Sequence, residues 1–199
     1  MKPMATGLRH LGAGMIVTAS LLLAGCFMAD DDNANPIIPA ASIAYPLKTG
    51  SATECGRIDN ACNRVEFVRR AEGGYILRRF ETNLLDIPVV KEVPFKLRRL
   101  QGAGIPADTY LVQLIDQNPD SRDLAILQRE ANGRWLQLAP SCSTAILKGK
   151  MEAVVEVWEN DDGWTHCVIG RNGLTDQRLF ETLRDADEPT YGSRYIEGG

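Results

Sequence analysis

From residue 64 onward the chain is written in short stretches of alternating apolar and polar side chains. Each stretch stops at glycine, asparagine, aspartate or proline. A period of two puts one set of side chains on each face of an extended strand, so the pattern predicts antiparallel β-structure. Residues 64–70 and 75–82 flank Ala71-Glu72-Gly73-Gly74, a hairpin whose paired glycines supply positive φ. Pairing Arg70 with Tyr75 sets Val65, Phe67, Ile76 and Phe80 on one face, sets Val68, Leu77 and Tyr75 on the other, and brings Glu66 opposite Arg79. Apolar groups on both faces require a sheet that packs on both sides or curls into a barrel.

The same reading extends along the chain. Residues 93–100 and 109–116 are strands. Residues 123–130 and 134–139 form a second hairpin across Ala131-Asn132-Gly133, and 151–159 and 164–170 a third across Asn160-Asp161-Asp162-Gly163. In the third hairpin Ala153, Val155 and Val157 share one face, with Glu152 and Glu156 on the other. Residues 43–48 are expected as a short edge strand, 83–92 as a connector broken at Pro88, and 101–108 as a loop. Leu179, Phe180, Leu183 and Ala186 recur at helical spacing. Thr175 suits the N-cap, Asp176 the positive end of the helix dipole, and Leu174 with Leu179 a hydrophobic staple. The expected fold is mainly β: a single antiparallel β-sandwich or partly closed barrel over residues 43–188, closed by a short C-terminal α-helix, with 189–199 a polar tail. At an offset of 60 residues, Arg69, Ala71, Gly73, Tyr75 and Ile76 match Arg129, Ala131, Gly133, Trp135 and Leu136. Val93, Phe95 and Leu97 then match Ala153, Val155 and Val157. A duplicated β-unit and shared turn chemistry both account for this.

The first 26 residues are of another kind. Lys2 and Arg9 precede an apolar run over residues 11–23, with no acid before Asp30, and Ala24 and Gly25 lead to a cysteine. This is the layout of a secretory signal, and the run is too short to span a bilayer core, which needs about 20 residues. Leu23-Ala24-Gly25-Cys26 resembles the lipobox of bacterial lipoproteins. The resemblance implies that residues 1–25 are removed and that Cys26 becomes a diacylglyceryl-bearing first residue, so that the membrane is reached through the N-terminal lipid. It places the rest of the chain in the cell envelope, facing the periplasm. Phe27 stands where Asp would signal inner-membrane retention in enterobacterial lipoproteins, which favours the outer membrane. Residues 26–42, rich in Asp, Asn and Pro, are expected to be a flexible tether.

Export gives the remaining cysteines a meaning. Cys55, Cys62, Cys142 and Cys167 are an even set in an oxidising compartment, and a disulfide framework follows. Of three connectivities, Cys55–Cys62 closes a small loop and Cys142–Cys167 brackets a hairpin; these are favoured. One mature histidine, His166, and no C-x-x-C argue against a zinc site. No cofactor is expected.

The full chain carries a net charge of −4, which becomes more negative once Lys2 and Arg9 leave. That argues against general nucleic-acid binding. Basic residues exceed acids over 57–101 and the reverse holds over 102–199. This suits two parts packed with complementary fields, or a basic face for an anion. The doublets Arg69-Arg70, Arg78-Arg79 and Arg98-Arg99 nominate Arg69, Arg79 and Arg98 as an anion-binding set, the other reading being a solvated, salt-bridged surface. Asp116, Asn118 and Asp120 spell the start of a calcium loop but lack its Gly and Glu, and read as a turn. His166 with Ser141 or Ser143 and Asp161 or Asp162 outlines a hydrolase triad, but without a G-x-S-x-G elbow. Trp158 and Trp164 flank one turn and can stack across it. No local signature marks catalysis. The function expected is a lipid-anchored, non-enzymatic binding module for an envelope protein or a cell-wall component, with an envelope hydrolase or hydrolase inhibitor as the alternative.

Overall fold

A computed structural model describes residues 27–29, 36–83, 85–115, 123–159, 165–170, 174–189 and 191–198. Eleven strands and two α-helices are present among them. Strands β2 (Gly50–Gly56), β3 (Cys62–Arg69), β4 (Tyr75–Thr82), β5 (Pro88–Arg99), β6 (Thr109–Leu114), β7 (Leu124–Arg129) and β8 (Trp135–Leu138) follow one another as an antiparallel meander. The chain then leaves this sheet for α1 (Cys142–Leu147), the hairpin β9 (Val154–Glu159) and β10 (Thr165–Ile169), and α2 (Asp176–Asp185). It returns as β11 (Ser193–Glu197), which pairs with β2 on one side and β8 on the other and so closes an eight-stranded barrel. β1 (Phe27–Ala29) runs parallel to β10 and completes a separate sheet of order β1-β10-β9.

Two cores result. Val65, Phe67, Tyr75, Leu77, Phe95, Tyr110 and Trp135 fill the barrel. The outer wall of β6, β7 and β8, at Leu111, Leu124, Ile126 and Leu138, is covered by α1, α2 and the small sheet. Burial on both faces explains why β6 and β7 read as nearly unbroken apolar runs. Helix α2 forms where its periodicity predicts. Thr175 Oγ1 accepts from Arg178 N–H at 3.2 Å, and Leu179, Phe180, Leu183 and Ala186 are buried. Ser141 caps α1, a helix the sequence left undivided from its surroundings.

Both favoured disulfides are present. Cys55–Cys62 joins directly opposed residues of β2 and β3, and Cys142–Cys167 ties α1 to β10. In the chain-entropy account they contribute roughly 2 and 3.5 kcal/mol, the second more because it closes the longer loop.

Several expectations are corrected. The first hairpin pairs Arg69, not Arg70, with Tyr75; Gly73 (φ 95°) and Gly74 (φ 85°) hold a turn closed by Gly73 N–H to Arg70 O. A one-residue slip exchanges the faces of a strand. Tyr75, Leu77 and Arg79 therefore point into the barrel beside Val65 and Phe67, and Ile76 and Phe80 point out. Glu66 faces Arg78, at 3.6 Å, rather than Arg79. Residues 43–48 make one isolated bridge, Ile43 to Arg98, instead of an edge strand. The connector expected over 83–92 is taken over in part by β5, which begins at Pro88. The strand expected over 151–159 begins at Val154, and of the three residues expected on one face Ala153 is buried while Val155 and Val157 are exposed; the β9–β10 register shifts between Val168 and Ile169. The polar tail over 189–199 contains β11, and the body therefore extends past residue 188. The tether over 26–42 holds β1, with Phe27 fully buried, and the buried Ile37 and Ile38.

The turns Arg70–Gly74 and Glu130–Arg134 carry the same pair of backbone hydrogen bonds. The segments matched next at the 60-residue offset lie in different sheets, β5 in the barrel and β9 in the small sheet. Common turn chemistry thus accounts for the repeat.

Removing residues 191–199 should strip hydrogen-bond partners from both β2 and β8. Thermal unfolding followed by circular dichroism should lose its single sharp transition. A truncated chain with an unchanged midpoint would contradict the role given to β11.

Candidate functional site

The barrel interior contains the chain's principal buried polar cluster among the described residues. Alternation along β4 aims Arg79 inward, and alternation along β2 aims Glu54 at it. Arg79 donates from Nε and Nη2 to the two Glu54 oxygens at 2.8 and 2.7 Å, a planar fork on a carboxylate. The Tyr195 hydroxyl lies 2.7 Å from Gln137 Oε1 and 3.1 Å from Glu54 Oε1, so its single proton is shared between them. Burial, first, and the Glu54 charge, second, hold the Tyr195 hydroxyl well above its ordinary value. Arg79 Nη1 is buried without a hydrogen-bond partner.

Next to this cluster, Phe67, Leu77, Phe95 and Leu127 leave an apolar cavity of about 30 Å³ against Tyr195 and Gln137. That is room for about two waters. An eight-stranded barrel is just wide enough for its side chains to fill it, and here they nearly do. The interior is a packed core with an ion pair in it.

The nominated arginines are not brought together. Arg79 is inside the barrel on Glu54. Arg98 lies on the outer side of β5 and donates to Asp176 at 2.7 Å, at the start of α2. Arg69 stands with its guanidinium 4.9 Å from the Tyr45 ring centre. The triad fares similarly. Ser141 is occupied as the α1 cap, and His166 stacks on Trp158 with ring centres 4.3 Å apart and neither ring nitrogen hydrogen-bonded. Burial lowers the His166 pKa. Asp161, Asp162, Trp164 and the residues 116–120 considered for calcium lie outside the described residues.

What the sequence reading missed is an arm. β6 ends at Leu114, opposite Phe95, whereas β5 continues back to Pro88. The β4–β5 hairpin therefore overhangs the barrel. Along it Phe80, Leu85, Ile87, Val89 and Val90 are exposed, Leu85 by 76% and Val90 by 56%. Phe80 and Val90 are directly opposed, and the Arg64 guanidinium sits 5.4 Å from the Phe80 ring centre. Ile115 N–H donates to Pro94 O, which fixes the alternation: Val90 and Glu92 turn their N–H and C=O groups away from β4. No described strand pairs with that edge between Pro88 and Val93. The signal was present in the sequence as Ile87-Pro88-Val89-Val90, but Pro88 read as a break rather than as a strand start on an open edge.

Replacing Glu54 by Leu should cost about 3–5 kcal/mol in urea unfolding, since it leaves the Arg79 charge buried and unpaired. Replacing both by Leu should recover most of that, and an additive double variant would refute the pairing. Stability should also fall as pH rises from about 10 towards about 12. Burial pushes the Tyr75 hydroxyl up to about 12, so the unfolded chain loses that proton first. Tyrosinate absorbance and circular dichroism should change together. Comparison with protein-family models, curated sequences and solved structures finds no match for this chain, so its geometry alone carries the functional reading.

Proposed function

We propose that the protein is a lipid-anchored cell-envelope binding module that receives an envelope partner on the β4–β5 arm. The observation that carries this reading is the overhanging hairpin. Five apolar side chains stand exposed on it, beside a strand edge that no described strand pairs, and the barrel does not need them for its core. Exposed apolar surface of this kind, next to main-chain groups that no described strand pairs, suits a partner that adds an extended segment. The partner named here is a protein segment, in preference to a cell-wall polymer, because the arm offers apolar side chains and strand hydrogen bonds.

The envelope address rests on the lipobox and Cys26. Phe27 at the following position supports the outer membrane. The two disulfides agree with an oxidising compartment. The hydrolase alternative draws no support from His166 or Ser141, which are engaged with Trp158 and Thr144.

Cys26→Ser should leave an unprocessed precursor without acyl chains by mass spectrometry; normal acylated maturation would remove the anchor. A photo-crosslinker at Val90 should capture one envelope protein in cells, and Phe80→Glu should abolish that capture while shifting stability by only about 0.5 kcal/mol. Undiminished capture by the Phe80→Glu protein would rule out the arm.

A further inference from the structure

We infer that the Cys55–Cys62 bridge is a thiol–disulfide exchange site, attacked at Cys62 by the dithiol of an oxidoreductase, and that its state sets how firmly β11 closes the barrel. The two bridges differ in access. Cys142 and Cys167 are both fully buried, in the core that lies against the outer wall of the barrel. Cys62 is exposed at the start of β3, while Cys55 is buried on β2. A thiolate therefore reaches Cys62 Sγ from solvent, and meets neither sulfur of the other pair while the core is closed. The bridge is also the easier one to give up. It spans a sequence separation of 7 against 25, so it restrains the unfolded chain less. The residues it joins stay opposed in a ladder that main-chain hydrogen bonds hold.

The exchange balances between the two proteins. One thiolate of the dithiol bonds to Cys62 Sγ as the Cys55–Cys62 bond breaks. The electron pair leaves on Cys55 Sγ, which takes a proton from water. The second thiol of the dithiol, losing its own proton to water, attacks its neighbour's sulfur in the mixed disulfide and expels Cys62 as a thiolate, which is protonated in turn. The bridge gains two electrons and two protons, and the dithiol leaves as a disulfide.

What the bridge holds is the turn behind it. Residues 56–61 join β2 to β3, closed by Gly56 N–H to Ala61 O and by Ala61 N–H to Asp59 Oδ1. Arg57 reaches from this turn to both oxygens of Asp187 at 2.8 Å, and its N–H donates to Gly192 O. Gly192 directly precedes β11, whose first residues, Ser193 and Arg194, pair with Gly56 and Cys55. With the bridge made, turn and strand ends are one piece, and Arg57 is presented to the returning chain. With it open, the end of the β2–β3 ladder frays and the hold on Asp187 and Gly192 loosens.

The test uses the folded full chain. Limited reduction by dithiothreitol at neutral pH, then iodoacetamide and peptide mass spectrometry, should label Cys55 and Cys62 about tenfold faster than Cys142 and Cys167. Thioredoxin with its resolving cysteine replaced by serine should be trapped on Cys62. Hydrogen exchange of the selectively reduced protein should speed about tenfold at Ser193–Glu197 and stay unchanged in β6 and β7. Equal labelling of the two pairs, or a trap that forms on Cys55 or not at all, overturns the exchange site. Selective reduction that leaves β11 protection unchanged, or lowers protection equally throughout the barrel, overturns the coupling to closure.

Discussion

Closure of the barrel rests on one short strand. Five residues, Ser193 to Glu197, hydrogen-bond to β2 along their whole length and reach β8 at Arg194 and Tyr195. Without them β2 and β8 would each present a row of unpaired amides and carbonyls, the edge that barrels exist to remove. The chain is brought back to that gap by specific contacts. Asp187 accepts from Arg57 Nη1 on both carboxylate oxygens and from the N–H of Ala139, and Arg57 N–H donates to Gly192 O. At Gly192 a side chain would meet Gln137 O at 2.5 Å, so the return path is open only to glycine. Tyr195 then links strand closure to the Glu54–Arg79 pair. One residue thereby serves both the backbone seam and the interior charge balance.

The excursion between β8 and β11 is the counterpart of that closure. Its helices and small sheet cover the one stretch of barrel wall whose outside is apolar, at Leu111, Leu124, Ile126 and Leu138. The Cys142–Cys167 bridge binds the excursion to itself, and Arg98–Asp176 binds it to β5. Among the described residues no such cover lies over the β4–β5 overhang. The protein thus divides its apolar surface: one part sealed by its own chain, another left on an arm.

Much of this was legible in the residues. Alternation and turn chemistry gave the β class, the later hairpins, and α2 with its cap and buried face. Cysteine parity, read with the expectation of export, gave both bridges. What escaped did so for physical reasons. A glycine pair admits two registers that differ by one residue, and local pattern cannot separate them when both faces are apolar, as at Ile76 and Leu77. β11 is short and flanked by glycines, so its strand character comes from the two neighbours waiting for it. Arg79 could not be recognised as an interior residue because its partner Glu54 lies 25 positions away, in a segment to which the sequence assigned no strand. The exposed arm was hidden by Pro88, whose meaning depends on whether an adjoining strand exists.

The prolines of β5 carry a further consequence. On the edge that no described strand pairs, positions 88, 90 and 92 face outward as far as Pro94, whose carbonyl already takes Ile115 N–H, and neither Pro88 nor Pro94 has an amide hydrogen. Only the two positions between them can both give and take, so an incoming strand finds a berth a few residues long and nothing on which to extend. Neighbouring copies would therefore be poor templates for one another across this edge, which works against strand-to-strand growth into a fibre.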